Sequence, residues 1–172
     1  LLAPLTGGAP LFVNINVSPA QFNDDSFLEH LQAGIRLTGL PPQQLHVEVT
    51  EATVMADLGR SLAFLEGCRA MGVQIMLDDF GTGYSSLQYL TTLPIDTLKI
   101  DRSFVANLEQ DKYQAVVKVI IEMAHALGVN VVAEGVENAE QLAQLKQWHC
   151  DEVQGYYIAQ PLPYDEFVAA LR

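Results

Sequence analysis

Short apolar runs alternate with amphipathic stretches along the chain. The runs are Leu11 to Val17, Leu45 to Val49, Val73 to Leu77, Thr97 to Ile100, Val129 to Ala133 and Val153 to Ile158. Most are β-branched and nearly continuous, the pattern of parallel strands buried on both faces. Helical periodicity fills the gaps. Leu28, Leu31 and Ile35 share one face after Asp24-Asp25. Leu62, Leu65 and Arg69 follow a 3.6-residue period that stops at Gly72. Val116, Ile120, Met123 and Leu127 form a longer stripe, read as core-facing and ending at Gly128. Asn138 and Gln141 make a capping-box start for a helix carrying Leu142, Leu145 and Trp148, and Asp165 to Leu171 predicts a last short helix. Gly39, Gly72 and Gly128 each stand between a helix and a strand, where left-handed C-caps belong.

This is a βα repeat with about six strands. Two architectures accept it: an open doubly wound sheet, or a (β/α)8 barrel, which needs eight strands and typically ~250 residues. In 172 residues, six units leave a barrel two strands short. The polar residues choose between the two. The runs end in Asn14-Ile-Asn16-Val-Ser18, Glu48-Val-Thr50-Glu51, Asp78-Asp79-Phe80-Gly81-Thr82-Gly83, Lys99-Ile100-Asp101, Glu134-Gly135-Val136-Glu137 and Gln154-Gly155-Tyr156. An open sheet gathers such residues only at its switch point. A barrel brings every C-terminal strand end to one mouth. The expected fold is therefore α/β, a TIM-like (β/α)8 barrel with about six of its eight strands in this chain.

Composition narrows the chemistry. Hydrophobic residues make up 49% and charged residues 17%, and the net charge is −12. A globular domain fits; a nucleic-acid polymer as partner does not, because it demands a basic face. An anionic membrane surface is disfavoured for the same reason. No stretch approaches the ~18 apolar residues of a membrane-spanning helix. The start, Leu1-Leu2-Ala3-Pro4, has neither Met nor the charged opening of a signal peptide, and reads as a piece of a longer chain. Cys68 and Cys150 have no metal or redox spacing, so they read as buried thiols of a reducing, cytoplasmic compartment.

The strand ends carry hard oxygen donors, which suit Mg²⁺ or Mn²⁺ rather than zinc. Adjacent Asp78 and Asp79 repel unless a cation lies between them, and two carboxylates a few Å apart can bridge two metals for in-line attack on a phosphodiester. Lys99 can pair with a phosphate or orient the attacking water. Gly81 and Gly83 let the loop backbone approach a ligand. His30, His46, His125 and His149 lie outside these strings.

The six strings, Val13-Asn-Ile-Asn16-Val-Ser18, Glu48-Val-Thr-Glu51, Asp78-Asp-Phe-Gly-Thr-Gly-Tyr-Ser-Ser86, Lys99-Ile-Asp101, Glu134-Gly-Val-Glu137 and Gln154-Gly-Tyr156, occur in the order that resembles the EAL-domain family of bacterial cyclic-di-GMP phosphodiesterases. The resemblance implies hydrolysis of cyclic di-GMP to linear pGpG on a modified barrel with two Mg²⁺ or Mn²⁺ ions per site. It matches Asn16, Glu48, Asp78 and Asp79 to metal-holding positions. Lys99 matches the lysine that holds the attacking water. Glu134 matches a general base or second-metal ligand, and Glu51 matches the anchor of the loop that begins at Asp78. Asp101, Glu137 and Gln154 match positions that support the site or contact the ligand. The resemblance further implies a homodimer through Phe80 to Tyr89, and an upstream sensory or diguanylate-cyclase-like domain in the parent protein. One departure matters. The Glu-Ala-Leu motif that names the family is absent, with its metal-binding glutamate, so residues 1–172 are expected to be the C-terminal three quarters of such a domain. Two rivals follow: a receptor that binds cyclic di-GMP without cleaving it, and a phosphoacceptor domain on an open sheet. The second places its acidic pair after the first strand, whereas here the pair follows the third.

Overall fold

A computed structural model describes residues 11–83 and 87–170. Six strands form one sheet in the order β1 to β6: Val13–Asn16, Leu45–Thr50, Gln74–Phe80, Thr97–Ile100, Asn130–Glu134 and Glu152–Gln154. Every neighbouring pair is parallel. Spatial order equals chain order, so the sheet has no switch point. Right-handed crossovers that all advance in one direction put all their helices on one face. This is barrel winding, not double winding, and it settles the choice between the two architectures.

The crossover helices are α1 (Pro19–Phe22), α2 (Phe27–Thr38), α3 (Glu51–Ala56), α4 (Leu58–Ala70), α5 (Leu87–Leu90), α6 (Arg102–Val105), α7 (Asp111–Ala126) and α8 (Ala139–Gln147), with α9 (Tyr164–Ala170) after the last strand. Residues 84–86, and with them part of the expected Phe80 to Tyr89 dimer contact, lie outside the described residues. Asn138 and Gln141 form the expected capping box on α8. Gly39 ends α2 in the left-handed region at φ 66°.

Register assigns the two faces of the sheet. Ile15 pairs with Val47, Val47 with Ile75, Leu77 with Leu98, and Leu98 with Val131. These residues face the helices and belong to the core with Phe64, Leu65, Val117, Ile121 and Leu145. Alternate positions carry Asn16, Glu48, Lys99 and Glu134 toward the concave face. The central strands are buried on both faces, as expected, but their polar residues follow a period of two: one face is the core and the other carries the site. The α7 stripe is corrected as well. Val117, Ile120, Ile121 and Ala124 are buried, whereas Val116 and Leu127 are exposed. That core face sits about one residue away from the expected stripe, retaining Ile120. Burial pushes the Cys68 thiol up to about 12, and Cys150 up to about 11, consistent with inert thiols. Among the described residues, no helix is long and apolar enough to cross a membrane.

Candidate active site

The concave face gathers charge because four strands each place a charged side chain near the C-terminal end. Asn16 pairs in register with Glu48, and Asp78 with Thr50 one strand further on. Lys99 pairs with Val132, and Glu134 with Gln154. All of them lie at or near C-terminal strand ends, where the active sites of barrels form.

Between β3 and β4 the ladder breaks. Leu77 pairs with Leu98 and Phe80 with Ile100, so Asp78 and Asp79 together face Lys99. This is a β-bulge, a device that re-aims side chains next to a site. Asp79 takes φ 54°, and aspartate tolerates that left-handed conformation better than most residues. The bulge turns Asp78 toward Lys99 and leaves Asp79 exposed. The sequence showed two adjacent acids; their different orientations come from the bulge.

Lys99 is the hub. Its Nζ lies 2.7 Å from Glu48 Oε2, 3.0 Å from Asp78 Oδ1 and 2.6 Å from Glu134 Oε1. Its side chain is 5% exposed, against 6%, 14% and 18% for the three acids. Burial alone would push the ammonium's pKa down, but hydrogen bonds to Glu134 and Glu48 outweigh it and hold the pKa above the usual lysine range. Glu134 is raised by burial, with Asp78 and Glu48 adding to the rise, while Lys99 opposes it. Asp79 is raised by burial and by its acidic neighbours Asp78 and Asp101, with Lys99 and Arg102 opposing. With all three acids ionised, one ammonium leaves an excess of two negative charges in the cluster.

The other expected residues surround this hub. Glu51, 2% exposed, opens α3, and its Oε2 accepts a hydrogen bond from the Gly81 amide at 3.1 Å. It therefore reaches the loop that follows Asp78. Asp101 caps α6 by accepting from the Ser103 amide at 3.0 Å and from the Ser103 hydroxyl. Glu137 is exposed, and its amide donates to Gln141 Oε1 at 2.7 Å. Gln154 is exposed beside Glu134 in register. Its carbonyl accepts from the Val136 amide at 3.0 Å, which extends β5–β6 pairing into the loop beyond Glu134.

Two residues that sequence reasoning passed over shape the site. Gly155 lies so close to the Val136 backbone that a Cβ would come within 2.2 Å of its carbonyl oxygen. Phe104 packs its ring against Gly81, where a Cβ would meet it at 2.9 Å. The Gly in Gln154-Gly155-Tyr156 was a visible signal; nothing in the sequence marks Phe104.

The donor chemistry fits divalent cations: carboxylate oxygens in excess of ammonium, and no histidine in the cluster. Among the described residues, however, no three acidic, histidine or cysteine side chains are arranged as a ready metal cage. The carboxylates are gathered on the Lys99 ammonium instead. A cation must share them with Lys99.

A family model described as the EAL domain matches residues 2–161. The cyclic di-GMP phosphodiesterase NbdA of Pseudomonas aeruginosa is 40% identical over 172 residues, covering 98% of this chain and 22% of its own length. The cyclic di-GMP phosphodiesterase RocR of the same organism is 36% identical over 162 residues, covering 94% of this chain and 41% of its own. A solved structure of the PaMucR phosphodiesterase in complex with c-di-GMP superposes with a TM-score of 0.88 at 39% identity, covering 91% of this chain and 64% of that one. The chain thus spans less than half the length of these curated relatives.

Proposed function

Since this chain belongs to the EAL-domain family, we propose that its strand-end cluster hydrolyses cyclic di-GMP to linear pGpG, and that residues 1–172 are the C-terminal three quarters of the catalytic domain. The observation that carries the reading is the convergence of Glu48, Asp78 and Glu134 on Lys99 within 3.0 Å at one barrel mouth. A binding-only receptor has no need of a buried lysine among three carboxylates.

In this reading Asn16, Glu48, Asp78 and Asp79, together with the glutamate of the family's Glu-Ala-Leu motif in the complete domain, would hold two Mg²⁺ or Mn²⁺ ions, with Glu134 joining them or serving as general base. Bound there, the ions would polarise the phosphodiester and lower the pKa of bound water. Lys99 donates a hydrogen bond to the attacking water and fixes its position, a proximity effect. Glu134, 2.6 Å from the Lys99 ammonium that positions the water, stands where it can accept the water's proton. The water oxygen bonds to phosphorus, the P–O3′ bond breaks, the 3′ oxygen takes up a proton, and the 5′ phosphate remains on the linear product. Glu51 keeps the loop after Asp78 in place through Gly81. Gln154 and Glu137, at the rim, contact the ligand, with Asp101 setting the start of α6. A homodimer through Phe80 to Tyr89, a cytoplasmic location and an upstream signalling domain complete the proposal.

The test is incubation of cyclic di-GMP with the protein and Mg²⁺ or Mn²⁺, followed by chromatography. Linear pGpG that disappears in Asp78→Ala supports the reading. Tight binding of cyclic di-GMP without product supports the receptor instead.

A further inference from the structure

The bulge that aims Asp78 interrupts the β3–β4 ladder just before the loop that follows β3. Ladder pairing lapses at Asp78 and Asp79 and resumes only at Phe80 with Ile100. Gly81 then turns the chain with φ +95°, a conformation that side chains resist and glycine adopts freely. The Asp79 carbonyl closes the turn by accepting from the Thr82 amide at 3.4 Å and the Thr82 hydroxyl at 2.9 Å, and two contacts from outside the loop reach Gly81. One is the Glu51 carboxylate on its amide. The other is the Phe104 ring, whose Cε2 and Cζ occupy the space a Cβ would need.

Phe104 is itself fixed. It sits in α6, three residues after Asp101, whose carbonyl accepts its amide at 3.1 Å. Its ring meets Tyr113 of α7 edge-on, with centroids 6.1 Å apart. The same short helix touches the next loop: a Cβ on Gly135, beside Glu134, would come within 2.6 Å of Arg102 Cβ. Helix α6 begins three residues after Lys99 and touches the loops that follow β3 and β5 through Phe104 and Arg102.

The geometry points to Phe104 as a positioning residue, a brace that holds the Asp78–Asp79 bulge in register with Lys99 through Gly81. The catalytic half of this inference rests on the proposed phosphodiesterase activity; the brace itself does not. Phe104 touches no reacting group and acts only through the loop.

The test compares Phe104→Ala with Val105→Ala in the full chain. Val105 is the fully buried neighbour on the same turn, so its truncation weakens α6 without removing the ring from Gly81. In Phe104→Ala the Gly81 amide exchanges with solvent at least about tenfold faster while the Leu77 and Leu98 amides keep their rates. In the same variant kcat for cyclic di-GMP with Mn²⁺ falls about tenfold and KM stays within about twofold, as loss of alignment requires. Val105→Ala produces neither effect. Unchanged Gly81 exchange in Phe104→Ala, equal acceleration in Val105→Ala, or an unchanged kcat in Phe104→Ala overturns the inference. If the wild-type protein makes no pGpG, the functional reading fails, and the exchange arm still decides the brace: faster Gly81 exchange in Phe104→Ala alone upholds it, and unchanged exchange overturns it.

Discussion

Lys99 and Glu48 stand on strands separated by β3, yet their charged atoms are 2.7 Å apart. In a flat sheet, strands two apart lie about 10 Å from each other. The contact is made by the curl of the sheet together with the length of the lysine. The cluster is thus a product of barrel curvature, and it in turn ties β2 to β4 across the concave face.

Lys99→Met removes the ammonium that faces Glu48, Asp78 and Glu134 and leaves these acids facing one another. Loss of one partner of a buried ion pair costs about 3–5 kcal/mol, and we expect the variant to lose that much stability in urea denaturation without divalent cations. Mn²⁺ restores a larger share of stability to the variant than it adds to the wild type, because the carboxylates are released from the ammonium. Hydrolysis falls by at least about a hundredfold even with saturating Mn²⁺, as for loss of a charged group at a reaction centre. A variant as stable as the wild type without cations contradicts this account.

Glu134 gives the site a pH dependence of known sign. Burial raises its pKa, so the native state takes up a proton at higher pH than the unfolded chain does. Without cations, this group's contribution to stability falls as pH rises from the ordinary glutamate value through the raised one. Cations reverse the advantage, because they bind the ionised form. Mn²⁺ affinity is therefore expected to weaken as pH drops through the window just above the ordinary glutamate range, and Glu134→Gln flattens that part of the profile. Calorimetric Mn²⁺ titrations across pH check it; the same slope in both proteins counts against the assignment.

Glu51 separates shape from charge. Glu51→Gln keeps an oxygen able to accept the Gly81 amide, and Glu51→Ala does not. We expect activity to fall much further in the alanine variant, by about tenfold or more, the scale of a buried hydrogen bond lost at about 1–3 kcal/mol. Equal losses in the two variants, read as kcat, indicate that the charge itself is what matters.

Much of this was legible in the chain. The six strands and the polar residue at the end of each gave the barrel, since only a barrel gathers all those ends. Glu48, Asp78, Lys99 and Glu134 were nameable for the same reason. The alternation of Leu45-His-Val-Glu48-Val and Thr97-Leu-Lys99-Ile was also present in the sequence, although the valines, leucines and isoleucines masked it as continuous. The opposed orientations of Asp78 and Asp79 were not legible, because a bulge is a mismatch between two strands and neither strand encodes it alone. Phe104 escaped for a related reason: its contact with Gly81 joins elements 23 residues apart through a crossover.

Gly155 tests how closely β6 must approach the loop after Glu134. A Cβ there would lie 2.2 Å from Val136 O and 2.3 Å from Val136 N, and both are backbone atoms that cannot swing aside. Gly155→Ala is expected to destabilise by about 1–3 kcal/mol, the range for overpacking, and to lower kcat by moving Glu134. Thermal melts together with kinetics decide it. A wild-type melting temperature in Gly155→Ala shows that the loop yields freely.

The central claim is that water, aligned by Lys99 among the strand-end carboxylates, opens cyclic di-GMP. A single-turnover reaction in ¹⁸O-labelled water with Mn²⁺, read by mass spectrometry, tests it most directly. The account predicts linear pGpG carrying one ¹⁸O on its 5′ phosphate, and no labelled product from Asp78→Ala. Unlabelled product, or cyclic di-GMP recovered intact by a wild-type protein that binds it, would contradict the account.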